Sequence, residues 1–390
     1  MSDLTSNTLD NKTKTNWPLS RLLYWLIVAI AVGYAPLAIN YMWRYFYPGT
    51  VQLQAMLTTA VVGHDYATGA RSVDAVRAAD YMHNRLILLM HTTLGGIALT
   101  LAMFQFSSRL RQRYAPAHRW MGRIYIVLMT LAMLGSLSFL VRTHPVPVWG
   151  GLAFDMQLWA LALSTLASGW LALWAIRRRY VVMHQAWIGV NIALMLTAPL
   201  LRVFWIGIGP LWHKADLLGN LGAGSISLTI VAPGGAAIAF MLSRARLPAQ
   251  RSAVPDRLVT GSLGIALLAA AGILVSVLHC RTLSANFPYT LLIIMHLVPL
   301  VGYSLLCWIG YTNARSKGQA FAVWQWHVLL IGAACVPIAT NLAWWVGELV
   351  LTQSDAFLAS TMIAAAVPIF LSFAVVADTV GRRTRSLRSR

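Results

Sequence analysis

Five histidines lie inside or at the start of long apolar runs, where an ionisable side chain is costly and therefore a candidate for function. They are His91, His118, His184, His296 and His327. Neutral imidazole binds haem iron, and helical bundles build such sites from histidines on facing helices. Counted at about 1.5 Å per helical residue, the five histidines fall at two depths, one near each membrane surface.

Two axial histidines at each depth would let electrons pass between two haem groups across a bilayer. The spacing predicts an outer pair of His91 with His296 and an inner pair of His118 with His184. In an alternative inner pair, His327 replaces one of these two. The pattern favours haem b as the cofactor, with the four paired histidines as metal ligands. The competing interpretation of each histidine is a simple hydrogen bond to a neighbouring helix, worth about 0.6–2 kcal/mol.

Two arginines form a second set of candidate binding residues. Arg123 lies one turn into an apolar run and Arg202 lies near the end of another. An arginine in a membrane span costs roughly 2.5–3.5 kcal/mol at the centre and less near the ends, where the side chain can reach the headgroups. That interfacial role competes with binding of an anionic partner, such as a haem propionate, a quinone headgroup or a lipid phosphate.

Several classes of site have no support in the sequence. None of the 11 acidic residues lies deep in an apolar run, which argues against a cation-coupled transporter or a proton pump. The chain has no GxSxG, HExxH, P-loop or dinucleotide-binding motif. Its three cysteines are far apart and show no CxxC spacing, so neither a disulfide framework nor a zinc site is expected.

The elements that must position these residues are membrane-spanning helices. Hydrophobic residues make up 58% of the chain and charged residues only 11%, less than half of the charged fraction usual in soluble domains. Apolar runs of about 20 residues predict ten spans. They are 22–43, 85–107, 119–141, 153–176, 182–206, 222–243, 258–279, 288–311, 320–347 and 358–379.

The basic residues orient this predicted bundle. With the N-terminus inside, 22 of the 30 basic residues fall in cytoplasmic segments and 8 fall outside, as the positive-inside rule requires. Both termini are therefore predicted to be cytoplasmic. Because the net charge of +19 is spread over short tracts between apolar runs, nucleic acid is not an expected partner.

The predicted domain organisation divides the helices at a polar linker. Residues 86–91 resemble residues 291–296, which suggests that the later helices are a diverged copy of an earlier four-helix unit. The long outer connection 45–84 is expected to form a small amphipathic cap. The predicted boundaries are an N-terminal tail 1–21, a first helical unit 22–246, a linker 247–257, a second helical unit 258–380 and a basic tail 381–390.

The segment 91–202 resembles the family of predicted bacterial membrane proteins known as domain of unknown function 2306. The residues that carry the resemblance are His91, Gly95-Gly96, Phe104-Gln105-Phe106, His118-Arg119, Gly122-Arg123-Ile124-Tyr125, His184, Trp187 and Arg202. The resemblance implies a four-helix unit with important histidines and places the chain in the bacterial inner (plasma) membrane. It implies no reaction. A looser similarity, at the level of fold, is to four-helix dihaem b-type cytochromes.

The sequence therefore predicts an all-α polytopic bundle of about ten transmembrane helices in the lipid bilayer. The leading functional hypothesis is a haem-b-binding electron carrier that uses histidine ligands, with a quinone or another redox molecule as its partner. The alternative is a non-enzymatic transporter or facilitator, or a structural subunit of a membrane complex without haem.

Overall fold

The computed structural model describes residues 18–70, 72–145, 151–211, 217–244, 272–274 and 289–386. The regular secondary structure in this part of the chain is entirely helical, which confirms the predicted all-α fold. By length and composition, nine helices or joined helices in the described residues can cross a membrane. The chain is a polytopic integral membrane protein.

The described helices are numbered here in chain order. They are α1 Pro18–Tyr41, α2 Leu53–Val62, α3 His64–Thr68, α4 Val73–Val76, α5 Ala78–His83, α6 Arg85–Gln105, α7 Ser108–Arg113, α8 Ala115–Arg142, α9 Gly151–Arg177, α10 Val181–Met195, α11 Thr197–Leu211, α12 Leu217–Arg244, α13 Tyr289–Ser316, α14 Ala320–Gly347, α15 Gln353–Ala359 and α16 Ala366–Ser386. Nearly all of the predicted seventh span, 258–279, lies outside the described residues, so the count of ten stays a prediction.

Two of the predicted spans are interrupted helices. The fifth is divided at Leu196 into α10 and α11. Pro199 has no N–H to bond the carbonyl of Met195, and the Thr197 hydroxyl donates to the carbonyl of Leu194 at 2.6 Å. The last span begins earlier than predicted and joins α15 to α16 through a π-helical turn, Ser360–Ala364.

The two ends of the bundle differ in character. The short helices α2 to α5 come between α1 and α6, as the predicted cap, and the end that carries them is called the cap end. At the opposite end, α9 leads into α10 through the arginine run 177–179, and α8 follows the basic helix α7. We call this the basic end. There the Arg383 guanidinium of α16 lies 4.2 Å from the ring centroid of Phe321 in α14.

A four-helix unit forms the first part of the bundle. Helix α6 packs on α8, α8 on α9, α9 on α10, and α10 returns to α6. The order of contacts closes a ring in which α8 and α10 face each other across the interior. Both helices start at the basic end, so they run parallel.

Next to the interior of the four-helix unit lies a second and larger hydrophobic core, called the second cluster. It joins α10 and α12 to the later helices α13, α14 and α16. It includes Val190, Phe240, Tyr303, Leu329 and Ile369, each no more than 6% exposed. Because this core takes helices from both sides of the predicted linker, the two predicted units share a hydrophobic core within the described residues.

Candidate functional site

Two of the predicted ligands, His118 and His184, lie at the basic end of the four-helix unit, within electrostatic range of each other. Each is the fourth residue of its helix, α8 and α10 respectively. Seven residues further along are Tyr125 and Asn191, and the Tyr125 hydroxyl donates a hydrogen bond to the Asn191 side-chain oxygen across the interior. Since seven residues make about two helical turns, each histidine lies on the same face as the hydrogen-bonded residue above it.

The ring nitrogens of this histidine pair have defined surroundings. The Nδ1 of His184 is 2.9 Å from the carbonyl oxygen of Ala172 in α9. A carbonyl can only accept, so Nδ1 carries the hydrogen and Nε2 keeps its lone pair. The Nδ1 of His118 is buried and has no hydrogen-bond partner among the described residues. His118 lies within electrostatic range of His184, Arg111 and Arg119.

A buried polar network lies directly above the histidine pair. The Asn191 amide donates to the carbonyl of Thr165 at 2.6 Å and to the Ser168 hydroxyl at 3.1 Å, both in α9. The Tyr125 hydroxyl also lies 3.1 Å from the sulfur of Met195. Asn191 is fully buried and Tyr125 is 1% exposed. The network fixes the register of α8, α9 and α10, and hence the relative placement of the two histidines.

His91 is positioned in the same way nearer the cap end. Its Nδ1 lies 2.8 Å from the carbonyl oxygen of Ala132 in α8, so Nε2 again keeps the lone pair. Ala132 follows Tyr125 by seven residues, as Tyr125 follows His118. One face of α8 therefore orders polar groups along the length of the bundle. His91 lies within electrostatic range of Arg202.

Arg202 in α11 lies between two aromatic rings. Its guanidinium carbon is 6.0 Å from the ring centroid of Tyr34 in α1 and 4.8 Å from that of Trp205. Its Nε and the Trp205 Nε1 are buried donors with no hydrogen-bond partner among the described residues. An unsatisfied buried donor costs about 1–3 kcal/mol. None of the ion pairs formed within the described part of the chain includes Arg202.

The cap closes over this region through charged and aromatic contacts. Asp74 in α4 pairs with Arg44 at 2.8 Å and accepts a hydrogen bond from the Tyr41 hydroxyl. The Tyr66 hydroxyl of α3 donates to the carbonyl oxygen of Trp205 at 3.3 Å. The sequence predicted a cap, and these contacts attach it to α1 and α11.

A second ion pair lies within the cap and connects it to the residues that follow α8. Arg77 bonds Asp80 at 2.8 Å and donates to the carbonyl of His144 at 3.2 Å. Beside it, burial raises the pKa of Tyr81 to about 12, to which the charge of Asp74 contributes. Within the described cap, Asp74 and Asp80 are therefore both paired with arginines of the cap region.

His296 in α13 has surroundings different from those of His91, its predicted partner. It is 4% exposed, and neither ring nitrogen has a hydrogen-bond partner among the described residues. It borders a small cavity with room for about one water molecule. The other lining residues are Ile293, Leu297, Thr340, Trp344, Phe357 and Thr361. The structure thus surrounds His296 with α13, α14 and α15, whereas His91 contacts α8.

The remaining predicted residues lie near the basic end. His327 in α14 is 7% exposed, with its ring 6.1 Å from that of Tyr311 in α13. This places it in the second cluster. The exposed Arg123 lies 4.9 Å from the ring centroid of Trp120, which is itself 61% exposed. These contacts agree with the interfacial interpretation of Arg123.

Of the predicted ligands, His118 and His184 lie at the same end of the four-helix unit and within electrostatic range of each other. The described residues contain no group of three or more His, Cys, Asp and Glu side chains that could hold a metal ion. A haem iron takes at most two axial ligands from a protein, so a pair of histidines is the largest group that a haem site requires. Sequence reasoning missed Asn191 and Trp205 and named Tyr125 only within the family motif. The shared seven-residue offset from His118 and His184 was a usable signal for Tyr125 and Asn191.

Residues 88–218 match a family model described as predicted membrane protein (DUF2306). The matched segment runs from α6 to the start of α12, so it contains the four-helix unit with His91, His118, His184 and Arg202. His296 and His327 lie outside it. No curated protein and no solved structure matches the chain.

Proposed function

We propose that this integral membrane protein is an electron carrier that binds one haem b between His118 and His184, at the basic end of the four-helix unit. The observation that carries the proposal is a pair of histidines within electrostatic range of each other on two parallel helices whose register a buried hydrogen bond fixes. Bundle cores build haem sites in this way, from inward side chains on facing helices.

The hydrogen bond of His184 supports a role as an iron ligand. Histidines that bind metals almost always donate their other ring N–H to a carboxylate, a carbonyl or water, which fixes the tautomer and the ring orientation. The bond from Nδ1 of His184 to the Ala172 carbonyl is of this kind. It prepares Nε2 for the iron. His118 has a buried Nδ1 that can serve as ligand or donor.

The charge around the pair suits the propionates of a haem. Arg111 and Arg119 lie within electrostatic range of His118, and arginine binds carboxylates with strong charge-assisted hydrogen bonds. When bound, a haem supplies a one-electron iron couple. His118 and His184 would hold the iron, and Arg111 and Arg119 would bind the propionates.

A second candidate function, a facilitator for a neutral or anionic solute, is favoured by the later helices. Pro299 and Pro337 lie inside α13 and α14, and the last span contains the π-helical turn next to His296. Interrupted spans are typical of transporter binding sites. A saturable solute flux into proteoliposomes that survives loss of His118 and His184 would favour this candidate.

The experiment compares haem content among matched histidine variants. The full chain is expressed with ample haem, purified in detergent and assayed for haem per protein. His118→Ala and His184→Ala are expected to lose the haem. His64→Ala serves as the control, since that side chain is 77% exposed on the cap. His184→Met should retain haem with a raised reduction potential, because methionine is also an axial ligand. Full haem content in both alanine variants would overturn the proposal.

A further inference from the structure

The geometry around Arg202 points to a binding site for the headgroup of a membrane-soluble quinone or hydroquinone at the cap end. Three helices meet there: α1 supplies Tyr34, α6 supplies His91 and α11 supplies Arg202 with Trp205. We infer this site from donors and an acceptor that the chain leaves unused. As a binding site it stands alone; its role as the carrier's redox partner site rests on the proposed function.

Two buried N–H donors of α11 have no hydrogen-bond acceptor among the described residues. Arg202 and Trp205 lie three residues apart on one face of α11, with the guanidinium carbon 4.8 Å from the indole ring centroid. The Nε of Arg202 and the Nε1 of Trp205 are both buried and lack an acceptor among the described residues. Trp205 is only 6% exposed. A ligand with an accepting oxygen would satisfy donors that the fold leaves unbonded.

His91 supplies a hydrogen-bond acceptor for the site. The Nδ1 hydrogen of His91 is committed to the Ala132 carbonyl, so Nε2 can only accept. His91 lies within electrostatic range of Arg202. A site with one cationic donor, one neutral N–H donor and a nearby acceptor suits a ring that accepts through one oxygen and donates through another. A hydroquinone does both, with one hydroxyl oxygen accepting from Arg202 or Trp205 and the other hydroxyl donating to Nε2, whereas the quinone accepts from the two N–H donors.

The site lies near the apolar outer surface of the bundle, next to the cap. The neighbouring residues Val32 in α1 and Val203 in α11 are 44% and 52% exposed, on the apolar outer surface of the bundle. The rings of Tyr34 and Trp205 flank the guanidinium, so a flat ligand ring bonded to Arg202 would lie among aromatic side chains. Meanwhile the cap covers the site from the aqueous side, with Tyr66 bonded to the Trp205 carbonyl. A lipid-soluble ligand would therefore enter from the bilayer.

The test is calorimetric titration of the full chain in phosphatidylcholine nanodiscs with a short-chain ubiquinone. Arg202→Gln should raise the Kd by about tenfold, the scale of one charge-assisted hydrogen bond. Trp205→Phe, which keeps an aromatic ring and removes the N–H, should raise it several-fold. The matched control is Arg123→Gln, because Arg123 also lies over a tryptophan three residues away, at 4.9 Å from the Trp120 centroid. The Kd of the Arg123→Gln variant for the ubiquinone should equal that of the unaltered chain.

Three results would overturn the inference. These are the absence of saturable binding to the unaltered chain, equal Kd values for all the variants, and full displacement of the quinone by phosphatidylglycerol, which would assign the donors to a lipid phosphate. The titration is repeated in the His118→Ala/His184→Ala double variant. Retained quinone binding there supports the site whatever the outcome for haem, so failure of the haem proposal is distinguishable from failure of this one.

Discussion

At the scale of residues, the fold uses one face of α8 to order its polar groups. His118, Tyr125 and the carbonyl of Ala132 follow each other at intervals of seven residues. Tyr125 bonds Asn191, the Ala132 carbonyl accepts from His91, and His118 lies within electrostatic range of His184. Side chains on one face of a helix can contact only the residues on the facing side of the neighbouring helix. The Tyr125–Asn191 bond therefore fixes the register in which His118 and His184 come within electrostatic range of each other.

The Tyr125–Asn191 bond is expected to contribute measurable coupling energy. Tyr125→Phe should destabilise the protein by about 0.6–2 kcal/mol, and the double-mutant cycle with Asn191→Ala should give a coupling of about 0.6 kcal/mol, the typical value for interhelical hydrogen bonds in membranes. The measurement is reversible unfolding in mixed micelles. As a control, the Thr130 hydroxyl bonds only its own helix at Ile126, so Thr130→Val should show no coupling to Asn191→Ala. Coupling of equal size in both cycles would contradict the assignment.

The sequence was sufficient to name His118, His184 and Arg202 as candidates, because ionisable residues in apolar runs are rare and easily recognised. It could not establish which histidines meet. His91 and His296 lie at similar predicted depths, yet the structure surrounds them with different helices. Depth along a helix follows from residue count, whereas rotation about the helix axis depends on packing against neighbours. The buried, uncharged Tyr125 and Asn191 supply that information here.

At the scale of helices, hydropathy predicted most spans to within a few residues, and the predicted span 320–347 coincides with α14 Ala320–Gly347. A span must be long enough to cross the hydrocarbon layer, so the length of an apolar run in the sequence predicts the length of the helix. The break at Leu196 and the π-helical turn at Ser360–Ala364 were not predicted. Both keep the chain apolar and helical, so hydropathy does not register them. Pro199 was the residue in the sequence that could have predicted the break at Leu196.

The cap is expected to depend on Asp74. Asp74→Asn removes the charge that binds Arg44 and Tyr41, so amide hydrogen exchange in residues 53–83 should become about tenfold faster, in line with the loss of a charge-assisted bond. The matched control is Asp65→Asn in the same cap, whose carboxylate is fully exposed and 3.7 Å from His64. Its exchange should match the unaltered protein. Unchanged exchange in Asp74→Asn would show that apolar packing alone holds the cap.

At the scale of the whole molecule, the buried clusters join helices from both sides of the predicted linker. Val190 of α10 and Phe240 of α12 share a core with Tyr303 of α13 and Ile369 of α16. The polar composition of the linker predicted a domain boundary, because composition depends only on the residues of that segment. It carries no information about which helix faces later pack together. The four-helix unit is nevertheless recognisable as the segment that contains both histidines of the proposed haem site.

The positive-inside rule predicts the orientation of this bundle, with the cap outside and the basic end in the cytoplasm. In a cysteine-free background, Val61→Cys in α2, at an exposed position, should react with a membrane-impermeant maleimide in intact spheroplasts. Lys317→Cys, exposed between α13 and α14, should react only after permeabilisation. The reverse pattern of labelling would invert the topology and place the histidine pair at the outer surface.

The central claim is a single haem held by two histidines, and the optical spectrum of the purified protein tests it most directly. The chain is purified after expression with ample haem, and spectra are recorded oxidised and after reduction with dithionite. A Soret band with a sharp reduced α-band of a low-spin, bis-histidine b-type haem, at one haem per chain, is the predicted result. A spectrum without these bands under the same conditions would contradict the account.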